Sequence, residues 1–338
     1  MNLKTIRVVI CGFGMMGQVH ARVYQALPGV EIVGIIDSSP VQEKVAEMGL
    51  KAAVAASITE LLQSMDFDLV DICLPTDLHA DMIIVAAQAG KHVFCEKPIA
   101  LEVAEAERAL QQVEQSGVLL QVGQCIRFWP EYQALESFMR EGTGGKLVSL
   151  SLTRRAGRPG YSRDNWLLDG ARSRGAALDL HIHDTDFVLH LLGKPWALHS
   201  IGRPDKNSQG WHHLFTHYLY DDVAVTAEGG WDLPPSWGFQ MAFQAVFENA
   251  VIDYDSRTSP TLHLTLGDEQ RAPMAFHTPE GEGVGGLGGY YNELAYFCGR
   301  IRTAKPPEIA TGRQAMESLH VVLSEIESAE TAQIVQLV

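Results

Sequence analysis

The residues of this 338-residue chain whose types and spacing could do chemistry fall into three groups. The first is the glycine-rich turn Gly12-Phe13-Gly14-Met15-Met16-Gly17, which closes an apolar run and opens a helix pattern. Such a turn offers free backbone N–H groups and the positive end of a helix dipole, which suits a pyrophosphate. Asp37 stands 20 residues after Gly17, at the end of the next apolar run. An acid there can accept hydrogen bonds from the ribose hydroxyls of a dinucleotide. Ser38 and Ser39 follow it, with no adjacent Arg or Lys to hold a 2′-phosphate, so NAD is expected rather than NADP. The second group is Cys95-Glu96-Lys97-Pro98, again ending an apolar run, which places a charged amine at the mouth of the same sheet. Together the two imply redox chemistry. The alternatives are a turn that only packs and a lysine that only meets solvent.

The third group is Asp179, His183 and Asp186. If residues 179–192 are helical, these lie at i, i+4 and i+7 on one face, and His190 extends the stripe. Val188, Leu189, Leu191 and Leu192 supply apolar packing on the other faces. Acid and imidazole on a helix otherwise made for burial are costly unless they face a cleft. A histidine beside a carboxylate is a natural acid/base for an alcohol proton; a capping or packing histidine is the other reading. No metal is expected. His181 and His183 would point nearly opposite ways on a helix, and Trp211-His212-His213-Leu214-Phe215-Thr216-His217 has no standard zinc spacing. A second glycine run, Gly283-Val284-Gly285-Gly286-Leu287-Gly288, follows no strand and reads as a flexible loop.

The elements that must position these residues change character along the chain. Up to residue 123, strand and helix signals alternate with short joints, which predicts a parallel, doubly wound α/β sheet. Beyond it, a helix over 130–140 leads into β-rich runs at 146–153, 214–220, 223–230, 239–247, 250–254 and 261–266, interrupted by a helix over 180–192 and closed by two more near 291–300 and 313–330. That pattern predicts an α+β region on a large, mainly antiparallel, open-faced sheet. The expected division is a dinucleotide-binding Rossmann domain over 1–123 and a substrate-binding and oligomerisation domain over 124–338, with the C-terminal helix able to pack back on the first.

The bulk numbers agree with two globular domains: 46% hydrophobic and 20% charged residues, with a net charge of −15. That charge argues against nucleic acid and against an anionic membrane surface as partners. No apolar run is long enough to span a bilayer, and the start of the chain lacks a signal-peptide pattern. Five widely spaced cysteines without a CxxC read as reduced thiols of a cytoplasmic protein.

Residues 5–123, the Glu96-Lys97-Pro98 element and Gly175-Ala176-Ala177-Leu178-Asp179-Leu180-His181-Ile182-His183-Asp184-Thr185-Asp186 resemble the glucose-fructose oxidoreductase / inositol dehydrogenase family, over nearly the whole chain. The resemblance implies hydride transfer from a secondary hydroxyl of a sugar, sugar derivative or cyclitol to nicotinamide. It implies His183 as general base, Asp179 orienting it, and Lys97 hydrogen-bonded to the reacting oxygen, often after a cis bond to the following proline. It places Leu74, Pro75, Thr76 and His79 beside the cofactor, with Glu96 and Gln124; His79 could instead cap a helix. Gly123-Gln124-Cys125-Ile126-Arg127-Phe128 resembles the segment in which an arginine reaches substrate or cofactor, although Cys125-Ile126 replaces the family's usual polar pair.

Six arginines crowd residues 154–174: Arg154, Arg155, Arg158, Arg163, Arg172 and Arg174. They could hold a phosphate or carboxylate on the substrate, with Arg155 foremost; solvated charge or salt bridges are the plainer expectation. Tyr161 and Trp166 could stack on a sugar ring or be buried. Substrate contacts are thus expected from Lys97, Arg127, Arg155, Tyr161, Trp166, Asp179, His183 and Asp186. Two other functions share the family's fold: an NAD-dependent, redox-neutral glycosidase, and a non-enzymatic sensor of dinucleotide or sugar. Retention of Lys97, Asp179 and His183 speaks against the sensor. An open apolar sheet face invites a second subunit, so a homodimer or homotetramer is expected.

Overall fold

The computed structural model describes residues 4–205, 208–279 and 285–337. Gly283 and Val284 of the second glycine run lie outside the described residues. The chain divides into two compact units: Met1–Cys125 with Pro279–Met316, and Ile126–Thr278 with Glu317–Val338.

In the first unit, β1 (Ile6–Cys11), β2 (Val30–Ile36), β3 (Ala53–Ala55), β4 (Leu69–Ile72), β5 (His92–Glu96) and β6 (Leu120–Gly123) form one sheet in the order β3-β2-β1-β4-β5-β6. Every pairing is parallel. A parallel sheet covered on both faces demands near-continuous apolar strands, and β1 and β4 comply apart from the half-buried Arg7 and the buried Asp71. The crossovers run through α1 (Met15–Ala26), α2 (Gln42–Glu47), α3 (Ile58–Ser64), α4 (His79–Gln88) and α5 (Val103–Ser116). Local chemistry starts two of them: the Ser57 hydroxyl accepts the Glu60 N–H ahead of α3, and Glu102 and Glu105 form a capping box on α5.

The second unit opens with α6 (Pro130–Glu141) and β7 (Leu147–Gly157), then α7 (Gly170–Ser173) and α8 (Ile182–Leu192). The sheet continues with β8 (Ala197–Pro204), β9 (Trp211–Leu219), β10 (Ala224–Leu233), β11 (Phe239–Phe247), β12 (Ala250–Asp255), β13 (Leu262–Leu266) and β14 (Ala272–Pro273). After α9 (Gly288–Thr303) and α10 (Gly312–Thr331), β15 (Val335–Gln336) completes it. The order among the described residues is β14-β13-β12-β11-β7-β10-β9-β8-β15. Among the described strands of this sheet, β7 and β10 alone pair in parallel. Period-2 alternation turns Leu150, Leu152, Leu214, Tyr218, Phe243 and Ile252 inward. Tyr132 anchors that core, edge-on to Phe187 at 4.8 Å, Phe243 at 5.0 Å and Tyr254 at 5.4 Å.

α9 belongs to the first unit, where Leu294, Phe297 and Cys298 join Ile10, Phe13, Leu69 and Phe94 in one core. β3, β8, β14 and β15 lie outside the strand runs expected from the sequence. The expected helix over 180–192 begins as a π-helix, Ala177–His181, before α8.

Candidate active site

The glycine turn sits at the carboxyl end of β1. Gly12 has φ +93°, and a Cβ there would meet the Cys73 carbonyl oxygen at 2.5 Å. A Cβ on Gly17 would meet the Gly12 carbonyl oxygen at 2.1 Å. Gly14 is the opposite case, with open space around it, at the N-terminus of an α1 that no side chain caps. Two glycines thus draw the turn tight and the third leaves an open approach to unclaimed N–H groups. Asp37 fixes the turn to the end of β2: Oδ2 accepts the Phe13 N–H at 2.9 Å and Oδ1 the Ser39 N–H at 2.8 Å. Phe13 itself is buried in the core, so its side chain supports the turn from beneath; Met15 and Ser38 are exposed and Met16 half-buried.

Lys97 follows β5, half-buried, and its peptide bond to Pro98 is cis. Its backbone N–H donates to Glu96 Oε2 at 3.1 Å. His79 holds the next residue. Its Nδ1 lies 2.7 Å from the Pro98 carbonyl oxygen and its Nε2 2.8 Å from that of Leu74. His79 is the first residue of α4 and its side chain does not cap that helix. The ring sits between the two carbonyls and donates its N–H to one of them, so it ties the Leu74-Pro75-Thr76 loop to the lysine element, and burial pulls its pKa below the ordinary value. Gln124, 1% exposed, presents an amide whose nitrogen and oxygen have no hydrogen-bond partner. An open helix N-terminus, an acid at the end of β2 and an orphaned buried amide fit a dinucleotide.

Sequence reasoning missed what lies beneath Lys97. His20 on α1 is fully buried, with Nδ1 2.8 Å from Asp71 Oδ2 and Nε2 3.1 Å from Glu96 Oε1. Burial alone would lower the His20 pKa, but the Asp71 charge and hydrogen bond, with a lesser push from Cys73, hold it well above the ordinary value. Burial would raise Glu96; the hydrogen bond and charge of His20, then the Lys97 charge, keep it below the usual carboxylate range. A visible signal existed: an aspartate inside the otherwise apolar β4 needs a buried partner.

In the second unit, Asp179 lies in the π-helix and is half-buried; His183, 9% exposed, lies in the first turn of α8. Their neighbours are turned into the core and committed there. His181 Nε2 lies 3.0 Å from Glu325 Oε2, and Thr185 and Tyr218 donate to Glu325 Oε1 at 3.0 and 2.8 Å. Burial would lower His181, yet the Glu325 charge raises it. A Cβ on Gly229 would strike the His181 ring at 2.6 Å, so a bare strand there admits it. Asp184 takes two bonds from Arg154, at 2.9 and 3.1 Å. Asp186 takes two from Arg127, both 2.7 Å, and one from Ser318 at 2.7 Å.

That arrangement corrects several expectations. Asp186 and Arg127 serve each other in the core, so the three-residue stripe divides: Asp186 is committed to that ion pair, apart from Asp179 and His183. The arginine-rich segment is mostly paired within the unit. Arg155 donates to Gln240 at 2.8 Å, Arg158 to Asp205 at 3.1 Å, and Arg163 lies 3.8 Å from Asp164. Trp166 packs against a small core of Leu167, Ala176, Leu180 and Trp231. Tyr161 is exposed and within electrostatic reach of Asp179. The histidines of 211–217 go different ways: His212 to Ser208 at 3.0 Å, His213 to Glu228 at 3.0 Å.

A Rossmann sheet carrying a glycine turn, followed by an open-faced mixed sheet, defines the class: two-unit, dinucleotide-binding oxidoreductases. Residues 6–124 match the oxidoreductase family with an NAD-binding Rossmann fold, and residues 132–252 match the C-terminal domain of the same GFO/IDH/MocA family. The chain belongs to the GFO/IDH/MocA family. Inositol 2-dehydrogenase of Rhizobium meliloti is 33% identical over 190 residues, 56% of each chain. Myo-inositol 2-dehydrogenase of Thermotoga maritima is 31% identical over 193 residues, 56% of this chain and 55% of that one. The matches thus span little more than half the length of these relatives. Among solved structures, levoglucosan dehydrogenase in complex with NADH and levoglucosan superposes with a TM-score of 0.87 at 19% identity, over 98% of this chain and 99% of that one, which shows a shared fold.

Proposed function

We propose that this protein is an NAD(H)-dependent dehydrogenase acting on a secondary hydroxyl of a sugar, sugar derivative or cyclitol. One observation carries the reading. Lys97 is fixed at the carboxyl edge of the same parallel sheet that bears the glycine turn, with Glu96 holding its N–H and His79 the carbonyl of Pro98. Ligands of open α/β sheets bind at that edge. The inositol dehydrogenases among its relatives and the sugar dehydrogenase with NADH among its structural neighbours support the substrate class.

Bound nicotinamide supplies the hydride acceptor. The chain supplies the rest. Lys97 stabilises charge developing on the reacting oxygen. His183 takes the hydroxyl proton and Asp179 orients its ring. Tyr161 offers an exposed ring face to a sugar near Asp179. Asp37 selects NAD, since a carboxylate at the end of β2 repels a 2′-phosphate. Ile201 and Phe215, exposed cross-strand neighbours on β8 and β9, mark a face for a second copy of the chain in a dimer or tetramer, and the five thiols suit a reducing cytoplasm. A monomer by light scattering would remove the assembly.

The test is NADH formation, read by absorbance, over inositols, aldoses, uronates, amino sugars and sugar phosphates at mildly alkaline pH, with Lys97→Ala beside the wild type. Expected is turnover on at least one neutral polyol, and a drop of about 10²–10³ in Lys97→Ala with NADH binding kept. A blank panel despite NADH binding would defeat the dehydrogenase reading. Undiminished turnover in the variant would remove the lysine from it.

A further inference from the structure

Beneath Lys97 the first unit buries more acid than its basic groups can balance. His20 already bridges Asp71 and Glu96. Glu293, projecting from α9 and fully buried, adds a third carboxyl. The facing atoms of His20, Glu96 and Glu293 all lie within 4.8 Å of one another, and neither Glu293 oxygen has a hydrogen-bond partner. The groups around Glu293 are Glu96 on β5, His20 on α1, Asp71 on β4 and Tyr290 one turn earlier on α9. On β6, the Gln121 amide donates to the backbone carbonyl of Glu293 at 3.3 Å rather than to its side chain.

An imidazolium between two carboxylates carries one net negative charge. A third carboxylate would double it inside the core, where a carboxyl beside one already ionised is favoured in its neutral form. The proton has a preferred owner. Glu96 is bonded by the Lys97 N–H and faces His20, both of which favour its ionised form. Glu293 has neither. We propose that Glu293 is a positioning residue for Lys97: it stands as a neutral carboxylic acid beside Glu96, and its proton leaves the Glu96 carboxylate undisturbed to hold the lysine element. Burial, then the Glu96 charge, push Glu293 well above the usual carboxylate range, in the same direction. The positioning role rests on the reading of Lys97 given above; the buried proton does not.

The proton is tested without any substrate. An acid whose folded pKa is raised contributes stability that is whole below its unfolded pKa and is lost as pH rises through the folded one. Glu293→Gln keeps the shape and has no proton to lose. Urea unfolding followed by circular dichroism from pH 5 upward should favour Glu293→Gln over wild type by up to about tenfold in the folding equilibrium per pH unit, until the folded pKa is passed. A pH-independent difference would overturn the proposal. So would a chelator that lowers the wild-type midpoint and not that of Glu293→Gln, since the same three side chains would then hold a cation.

The positioning role is read in kinetics on a substrate from the panel. Glu293→Gln should keep kcat within about threefold at neutral pH and hold it to higher pH than wild type does. Glu293→Ala should lose at least about tenfold in kcat with KM for NAD unchanged. Equal loss in both variants, or a loss confined to KM, would overturn positioning. Turnover surviving in Lys97→Ala would also overturn it, and the unfolding experiment would still decide the proton.

Discussion

Arg127 and Asp186 admit two opposite roles, a hand on the substrate or a brace inside the second unit, and one substitution separates them. Their side chains are 2% and 0% exposed and share two 2.7 Å bonds. At 2.7 Å and an effective dielectric of 20, the attraction is about 6 kcal/mol. Desolvation of both ions offsets most of it, whereas removing one partner strands the other charge at a cost of about 3–5 kcal/mol. Ser318 still donates to Asp186 at 2.7 Å, which puts Arg127→Met near the lower end, about 3 kcal/mol. Asp186→Asn added to it keeps an acceptor for Ser318 and should recover at least half of that loss. All six tryptophans, from Trp129 to Trp237, lie in the second unit, so a urea titration read by tryptophan fluorescence follows that unit. With a slope of about 2 kcal/mol per molar, the midpoint should fall by about 1.5 M. NADH affinity, which belongs to the first unit, should hold. A midpoint within about 0.3 M of wild type, together with a raised KM for substrate, would return Arg127 to the binding surface.

Gly17→Ala forces a methyl to within 2.1 Å of the Gly12 carbonyl oxygen; NADH binding, followed by its fluorescence, should weaken about 100-fold or more, and normal affinity would show that the turn opens without harm. Asp37→Ala removes the charge opposed to a 2′-phosphate, and the ratio of NADPH to NADH dissociation constants should narrow about tenfold, equivalent to about 1.4 kcal/mol. An unchanged ratio would assign cofactor choice elsewhere. His181, with a folded pKa above 6.5, contributes stability that is complete below pH 6.5 and is lost as pH rises through the folded value. Glu325→Gln should flatten that dependence of the fluorescence midpoint, and a wild-type midpoint indifferent to pH would show that the pair carries no such linkage.

Apart from the short β3, the first sheet was readable in the sequence because its strands are apolar runs cut off by glycine, proline or an acid, and two of the crossovers carry their own start signals. β8 was not, since Ala197-Leu198-His199-Ser200-Ile201-Gly202-Arg203-Pro204 mixes strand and turn formers and owes its form to pairing with β9 and β15. The π-helix left no mark in composition. Its turn accompanies His181 reaching Glu325, a partner that no local window contains. Asp186 illustrates the same boundary: its helical spacing from His183 is plain in the sequence, while its commitment to Arg127 depends on which distant arginine the fold delivers. Asp71 shows the reverse: an acid inside an apolar strand announces, in the sequence itself, the buried partner it meets in His20.

The core of the first unit has a consequence for how the molecule is made. Leu294, Phe297 and Cys298 complete a cluster otherwise built from residues near the start of the chain. A ribosome delivers Phe13, Leu69 and Phe94 long before it delivers α9, so the nascent N-terminal sheet waits with one flank uncovered while the whole second sheet is synthesised. Fragments that stop at Cys125 keep that bare flank permanently, and the shortest piece of this gene product able to bury it must run at least to Cys298.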